Sequence, residues 1–82
     1  MTAATDMIHF VEEEMRLQRM PITRVSRLSG HSHRLVINWI NKTRSPTVPA
    51  MQDVLNVLGY SIAIVDKHTL EVVYPEKGVP EE

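Results

Sequence analysis

The sequence predicts a mainly α-helical domain of about four helices followed by a C-terminal β-hairpin. Apolar residues recur at helical spacing through the first 60 residues, and Gly and Pro interrupt that pattern between short segments. Two runs rich in β-branched residues then flank a turn. With 82 residues the chain has room for one compact unit. We therefore assign a helical domain to residues 1–60, a hairpin to 61–74 and a flexible tail to 75–82.

The first helix is predicted to begin at a cap formed by Thr5 or Asp6 and to end before Pro21. Apolar residues recur along it at helical spacing. They are Met7, Ile8, Val11 and Met15, with Phe10 and Leu17 alongside. This face is expected to pack against the core.

A second, short helix is predicted from about Pro21 to Ser29. Proline is tolerated in a first helical turn, and Gly30 can adopt the left-handed conformation that ends a helix. Val25 and Leu28 are expected to face the core.

Two further helices have clear capping residues. Ser32 is predicted to cap a third helix that continues to about Asn41, and Thr47 to cap a fourth over Val48 to Leu58. Gly59 ends the fourth helix. Its core face consists of Met51, Val54, Leu55 and Leu58.

The hairpin is predicted from the runs SIAIV and TLEVVY, which flank the turn candidate Asp66-Lys67-His68. The first strand is apolar on both faces, which in so small a protein suggests burial against another chain. We therefore predict dimerisation through the hairpin. Its candidate interface residues are Ile62, Ile64, Val65, Leu70, Val72 and Tyr74.

A basic block occupies the middle of the sequence, since no Asp or Glu lies between Met15 and Gln52. Seven of the nine Lys and Arg residues fall in this interval: Arg16, Arg19, Arg24, Arg27, Arg34, Lys42 and Arg44. Such a face attracts polyanions even at a net charge of −1, because charges within a Debye length, roughly 8 to 10 Å, set the local potential. The same block also fits a solvated face that binds nothing.

The third helix divides into two faces at about 100° per residue. Leu35, Val36, Trp39 and Ile40 form the apolar face, and the other carries His33, Arg34, Ile37, Asn38 and Asn41. Arg can bond guanine O6 and N7, Asn can pair with adenine N6 and N7, and Ile offers an apolar surface to a thymine methyl. The second face therefore has the composition of a recognition helix.

The turn LSGHS joins two short helices in the way that a helix-turn-helix requires. ITRVSRLSGHSHRLVINWINKTRSPTVPAMQDVLNVLGYSI resembles the helix-turn-helix core of the Cro/CI-type repressor family, the xenobiotic-response-element class, over roughly half of the chain. Val25, Ser26 and Gly30 match the family's second helix and turn, and Val36 and Trp39 match the apolar pair of its recognition helix. The resemblance implies a lambda-repressor-like fold.

The resemblance also implies DNA-contacting residues, by analogy with the positions that read bases or touch phosphate in this family. Together with the polar face of the third helix, it predicts base contacts from His33, Arg34, Ile37 and Asn38. The predicted phosphate contacts come from Thr23, Arg24, Ser32, Asn41, Lys42, Thr43 and Arg44. The expected partner is double-stranded DNA.

The chain departs from the family pattern at several places. Pro21 and Ile22 stand where the family often has a capping Ser or Thr followed by a phosphate-binding Gln, so Thr23 or backbone N–H groups must make that contact. Lys42 replaces a usual glycine, which implies a strained backbone at Asn41 or Lys42 or a reshaped loop. The hairpin replaces a fifth helix, an arrangement that some antitoxin-type members resemble.

Other chemistry finds little support. There is no cysteine, His31 and His33 lack further ligands at suitable spacing, and the consecutive acids Glu12, Glu13 and Glu14 point in different directions on a helix. We predict no metal, no cofactor and no enzymatic activity. No segment approaches the roughly 20 apolar residues of a membrane span, so a cytoplasmic protein is expected.

Two functional classes remain open. The first is a dimeric transcriptional regulator, most simply a repressor, which binds an inverted-repeat operator through its third helix, as in phages, mobile elements and antitoxin modules. The second is a protein-interaction module, an antiactivator or antitoxin, which sequesters a partner regulator or toxin. An excisionase-like architectural role is a weaker third interpretation. The absence of acidic residues from the middle of the chain favours the transcriptional regulator.

Overall fold

The computed structural model of the chain describes residues 3–74, and the tail predicted over 75–82 lies outside the described residues. Four helices come first: α1 is Ala3–Leu17, α2 is Ile22–Ser29, α3 is His33–Ile40 and α4 is Val48–Leu58. An antiparallel pair follows, with β1 at Ile64–Val65 and β2 at Val72–Tyr74. The prediction of a mainly helical chain with a C-terminal hairpin is confirmed.

Capping residues begin and end the helices as the sequence predicts. Ser32 Oγ accepts a hydrogen bond from the backbone N–H three residues later at 3.1 Å, and Thr47 Oγ1 does the same at 3.3 Å. Such caps typically contribute about 1 kcal/mol each. Gly30 and Gly59 close α2 and α4 at φ 78° and 93°, in the left-handed region that glycine adopts without a side-chain clash.

One core lies among the four helices and is formed by residues that recur at helical spacing. Its members are Ile8, Val11, Met15, Val25, Trp39, Ala50, Met51, Val54, Leu55 and Leu58. Trp39 is the largest side chain that is almost fully buried, with 1% of its surface exposed. The third helix therefore meets the rest of the protein through its apolar face, as predicted.

Three apolar residues do not lie where the sequence analysis placed them. Leu28 is 54% exposed, because the buried stripe of α2 runs through Ile22, Val25 and Ser26, and Leu28 falls outside it. Phe10 and Leu17 are also exposed, since they lie roughly half a turn away from the buried stripe of α1.

The start of α1 also differs from the prediction. The helix begins at Ala3, so neither Thr5 nor Asp6 is its cap. Both residues lie within the first two turns instead. The negative charge of Asp6 there interacts favourably with the positive end of the helix dipole. The acidic residue does mark the start of a helix, but the predicted start lies a few residues after the observed one.

The hairpin is shorter than the predicted strands and is organised by its turn. Ile64 pairs with Tyr74 and Val65 with Val72, with an irregular register between them. The Asp66 carboxylate accepts hydrogen bonds from the backbone N–H groups of His68 at 2.8 Å and Thr69 at 3.1 Å. These bonds hold the pKa of Asp66 below its usual value, with the Thr69 N–H as the largest cause.

We expect the hairpin turn to loosen in acid. A carboxyl whose folded pKa is depressed contributes stability above its unfolded pKa and loses that contribution as the pH falls through the folded value. The backbone amides of His68 and Thr69 should therefore lose protection from hydrogen exchange as the pH falls below the ordinary aspartate value of about 4. NMR titration measures this directly. Asp66→Asn, which keeps a neutral acceptor, should remove the pH dependence; an unchanged titration in that variant would contradict the assignment.

Candidate nucleic-acid interface

The exposed side of α3 forms a shallow depression of about 450 Å³. Its lining residues are His33, Arg34, Ile37, Asn38 and Asn41. All four predicted base-contacting residues therefore share one surface. Their backbone is held in place from the opposite side of the helix, where Val36 and Trp39 are buried. The buried and exposed residues recur with the helical period. When the apolar face packs against the core, the polar face is therefore exposed to solvent.

The four side chains differ in their exposure. His33 and Arg34 are exposed in the first turn of α3, whereas Ile37 and Asn38 are half-buried one turn later. The long donor-bearing side chain thus stands at the helix N-terminal end, and the shorter amide and apolar groups form the floor. This arrangement offers hydrogen-bond donors, an amide that both donates and accepts, and one apolar contact within a single concave surface.

Most cations of the basic block, including Arg34 in the depression, have no acidic partner among residues 3–74. Among residues 3–74, ion pairs join only Arg16 to Glu13 and His31 to Asp53. The remaining cations of the basic block make no ion pair with a described residue: Arg19, Arg24, Arg27, Arg34, Lys42 and Arg44. Their charges are therefore available to an external anion at no cost of breaking an internal pair.

The loop after α3 is folded back onto the helix end. The carbonyl of Asn38 accepts hydrogen bonds from the backbone N–H groups of Thr43 at 2.9 Å and Arg44 at 3.3 Å, and from the Thr43 hydroxyl at 3.2 Å. Lys42 makes this reversal possible with a left-handed φ of 63°, while Asn41 has an ordinary φ of −81°. The strained position foreseen at Asn41 or Lys42 is therefore Lys42.

The hydroxyls of Ser32 and Thr43, both predicted to contact phosphate, differ in the hydrogen bonds they already make. Ser32 Oγ accepts from the backbone N–H of Leu35, which leaves its own proton available for another acceptor. The Thr43 hydroxyl proton is directed at the Asn38 carbonyl, so a phosphate would have to compete for it. Lys42 and Arg44, which flank Thr43, are exposed, and their side chains form no ion pair with a described residue.

The N-terminal end of α2 lacks a side-chain cap. Pro21 occupies the cap position in an extended conformation and makes no capping hydrogen bond through its side chain. Thr23 and Arg24 follow in the first turn, and both are exposed. The two residues assigned to phosphate contacts on α2 are therefore accessible, and the departure from the family pattern at Pro21 does not stop the helix from forming.

His31 has a role that the sequence analysis missed. Its Nε2 lies 2.9 Å from Asp53 Oδ2, and this contact joins the turn between α2 and α3 to α4. Asp53, the first acid after the basic block, therefore contacts the histidine. The partners are 22 positions apart in the sequence, so no local pattern could have identified the pair.

The hairpin residues predicted for dimerisation divide into two groups. Ile64, Val65, Leu70, Val72 and Tyr74 are exposed. Ile62 is instead half-buried and packs against the protein's own core, and its backbone N–H donates to Gln52 Oε1 at 2.9 Å. The exposed residues of the hairpin therefore form an apolar surface that the described part of the chain leaves uncovered.

Residues 3–74 contain no group of three or more His, Asp or Glu side chains arranged to hold a metal ion. None of the helices in this range is long and apolar enough to cross a lipid bilayer. No protein-family model, curated protein or solved structure matches the chain. Its function must therefore be argued from its own residues.

We expect Lys42→Gly to be at least as stable as the wild type. Glycine adopts a positive φ without the clash that costs another residue about 1 kcal/mol, and this gain offsets the greater entropy of its unfolded chain. Asn41→Gly is the matched control. With its ordinary helical φ, it should be destabilised by roughly 0.5 to 1 kcal/mol. Thermal unfolding of both variants checks the difference, and a reversed order would contradict the strain at Lys42.

Proposed function

We propose that this protein is a sequence-specific, DNA-binding transcriptional regulator with a lambda-repressor-like helix-turn-helix fold. In this proposal it acts as a dimeric repressor of the Cro/CI type and binds an inverted-repeat operator through α3 in the major groove. One observation carries the proposal. The four side chains suited to base edges line a single depression on α3, and most cations of the basic block lack acidic partners among the described residues.

The chemistry of the depression suits base recognition. Arg34 can donate two hydrogen bonds to guanine O6 and N7, and Asn38 can pair with adenine N6 and N7. Ile37 offers an apolar contact for a thymine methyl, and His33 can donate to or accept from a base edge or a phosphate. A good bidentate pair contributes roughly 1 to 3 kcal/mol of discrimination against the wrong base.

Phosphate contacts would come from the segments on either side of α3 in the chain. Thr23 and Arg24 lie at the start of α2, and Lys42 and Arg44 lie in the loop after α3. The hydrogen bonds that fold this loop onto the Asn38 carbonyl hold its cations close to the base-reading surface. Contacts of this kind fix the register of a recognition helix, while the bases supply the sequence information.

Dimerisation belongs to the proposal for a geometric reason. One recognition helix reads only a few base pairs, and dimers in this structural class place two such helices about 34 Å apart on one face of the duplex. The exposed apolar residues of the hairpin supply a surface for this association. The operator should then be an inverted repeat, because two-fold symmetry in the protein is matched by two-fold symmetry in the DNA.

The same hairpin supports a second candidate function. An exposed apolar surface on so small a protein can also bind a different partner, as an antiactivator or antitoxin binds a regulator or toxin. Selection of bound sites from a random DNA pool separates the two functions. Enrichment of an inverted repeat supports the regulator, whereas failure to enrich any sequence favours the interaction module.

Affinity for the selected operator should fall steeply with salt. Each phosphate neutralised by the protein contributes a slope of about −0.9 to the logarithm of the binding constant against the logarithm of salt concentration. Fluorescence anisotropy at several salt concentrations measures this slope. A response independent of salt would be inconsistent with phosphate contacts from the basic block.

Substitutions at Arg34 and Arg44 should have different effects. Arg34→Ala is expected to cost roughly 1 to 3 kcal/mol on the operator and to relax the preference for one base. Arg44→Ala should weaken binding to all sequences alike and reduce the salt slope by about one. Arg27→Ala, which removes an equal charge from an unassigned position on α2, should have the smallest effect. Equal losses of specificity for all three would argue against base reading by Arg34.

A further inference from the structure

The four helices of residues 3–74 all end in the same backbone motif. In each, one N–H group donates to the carbonyl five positions earlier, and the residue before that donor has a left-handed φ. The donors are Met20, His31, Thr43 and Tyr60, at 2.8, 3.2, 2.9 and 2.8 Å. The left-handed residues before them are Arg19, Gly30, Lys42 and Gly59, with φ of 55°, 78°, 63° and 93°. This is the Schellman motif, whose left-handed position usually holds glycine.

Two of these helix ends carry a cation in place of glycine. Arg19 follows α1 and Lys42 follows α3, whereas α2 and α4 end at Gly30 and Gly59. A residue with a Cβ atom is disfavoured at a positive φ, and neither Arg nor Lys has the short polar side chain with which Asn or Asp offsets that cost. Glycine would fit both positions as it fits the other two. The motif itself therefore does not account for the two cations.

Contacts within the fold do not account for them either. Arg19 and Lys42 are exposed, and neither side chain forms an ion pair or a hydrogen bond with a residue of 3–74. Arg16 in the last turn of α1 differs, since it pairs with Glu13. A cation at a helix C-terminus also interacts favourably with the helix dipole. That interaction would make Arg19 more stabilising than glycine, so a measurement of stability can test it.

The two cations lie on either side of α2 and α3 in the chain. Arg19 stands four positions before Thr23, which is proposed to contact phosphate. Four residues of extended chain span at most about 14 Å, so Arg19 lies within that distance of Thr23. Lys42 belongs to the loop after α3. Leu70, the third non-glycine residue with a positive φ among residues 3–74, lies in the hairpin turn, so strain alone does not mark this surface.

We propose that Arg19 contacts the phosphate backbone of double-stranded DNA, and that cations are kept at Arg19 and Lys42 because both bind phosphate. The hydrogen bonds of the motif fix the backbone from which each side chain extends. Local strain that the surrounding structure holds in place is found at functional sites. This inference rests on the proposed DNA-binding function and adds to it a phosphate contact before α2. Charge is thereby retained at both helix ends at the expense of stability.

Arg19→Gly separates stability from DNA binding. Glycine removes the charge and the strain together, so the variant should unfold at or above the temperature of the wild type. Its affinity for a duplex of arbitrary sequence should fall about eightfold per bound protomer at about 0.1 M salt, and the slope against salt by about one. Fluorescence anisotropy and thermal unfolding measure these effects. A less stable variant with unchanged DNA binding overturns the proposal and indicates the helix dipole.

Two further variants identify the contact. Arg19→Lys keeps the charge in the same backbone conformation and should retain most of the affinity and the salt slope of the wild type. Arg27→Gln is the matched control, because it removes an exposed cation from within α2, and it should leave the slope unchanged. Equal losses of slope in Arg19→Gly and Arg27→Gln would mean that only total charge matters, which overturns a contact at Arg19.

The double variant Arg19→Gly, Lys42→Gly tests whether both helix ends follow the same rule. Its salt slope should fall by about two per bound protomer, since two phosphate contacts are removed. It should also unfold at or above the temperature of the wild type, because glycine relieves the backbone at both positions. A double variant that binds duplex DNA as the wild type does overturns the proposal.

Failure of this inference and failure of the proposed function give different results. A wild type with steep salt dependence and an Arg19→Gly variant with the same slope overturn the Arg19 contact but leave the regulator standing. A reduced slope in Arg19→Gly, with no sequence enriched from the random pool, supports the contact and contradicts a sequence-specific regulator. A wild type that binds no duplex at low salt overturns both.

Discussion

Burial of Trp39 and Val36 is the constraint on which the polar surface of α3 depends. A helix of eight residues is too short to be stable in water by itself, because its few hydrogen bonds do not offset the cost of nucleation. Packing of the two apolar residues against the core supplies the missing stabilisation. The same packing fixes the rotation of the helix about its axis, which decides that Arg34 and Asn38 face outward.

The ends of α3 are held by interactions of different reach. At its start, Ser32 caps the helix locally, and His31 beside it contacts Asp53 on α4. At its end, three donors from the following loop converge on the Asn38 carbonyl. The helix and the loop after it are therefore joined at one carbonyl, that of Asn38. A left-handed residue, Lys42, is the local cost of that connection.

Polar and apolar surfaces occupy different segments of the chain. The basic block spans α2, α3 and the loop after α3. Most of the exposed large apolar residues lie instead on the hairpin or in the Phe10 and Tyr60 pair. A domain of 82 residues buries a smaller share of its surface than a larger one, so some apolar exposure is expected. Among the described residues, most of the exposed large apolar side chains lie on the hairpin.

Local signals in the sequence were sufficient for most helix boundaries. Ser32, Thr47, Gly30 and Gly59 act on backbone groups within a few residues of themselves, so their effect can be predicted without knowing the fold. The two faces of α3 follow from the helical period in the same way. Leu28 shows where this reasoning fails, because apolarity does not reveal which stripe of a short helix the neighbouring helices will cover.

Only the tertiary structure decided which distant residues meet. His31 and Asp53 are 22 residues apart, Tyr60 and Glu14 are 46 apart, and Phe10 joins Tyr60 across almost the whole helical domain. Sequence alone determined the helices, the basic block and the outward face of α3, since these depend on near neighbours. The His31–Asp53 contact and the Phe10–Tyr60 contact depend on how distant helices pack around a shared core, and that packing is a property of the whole fold.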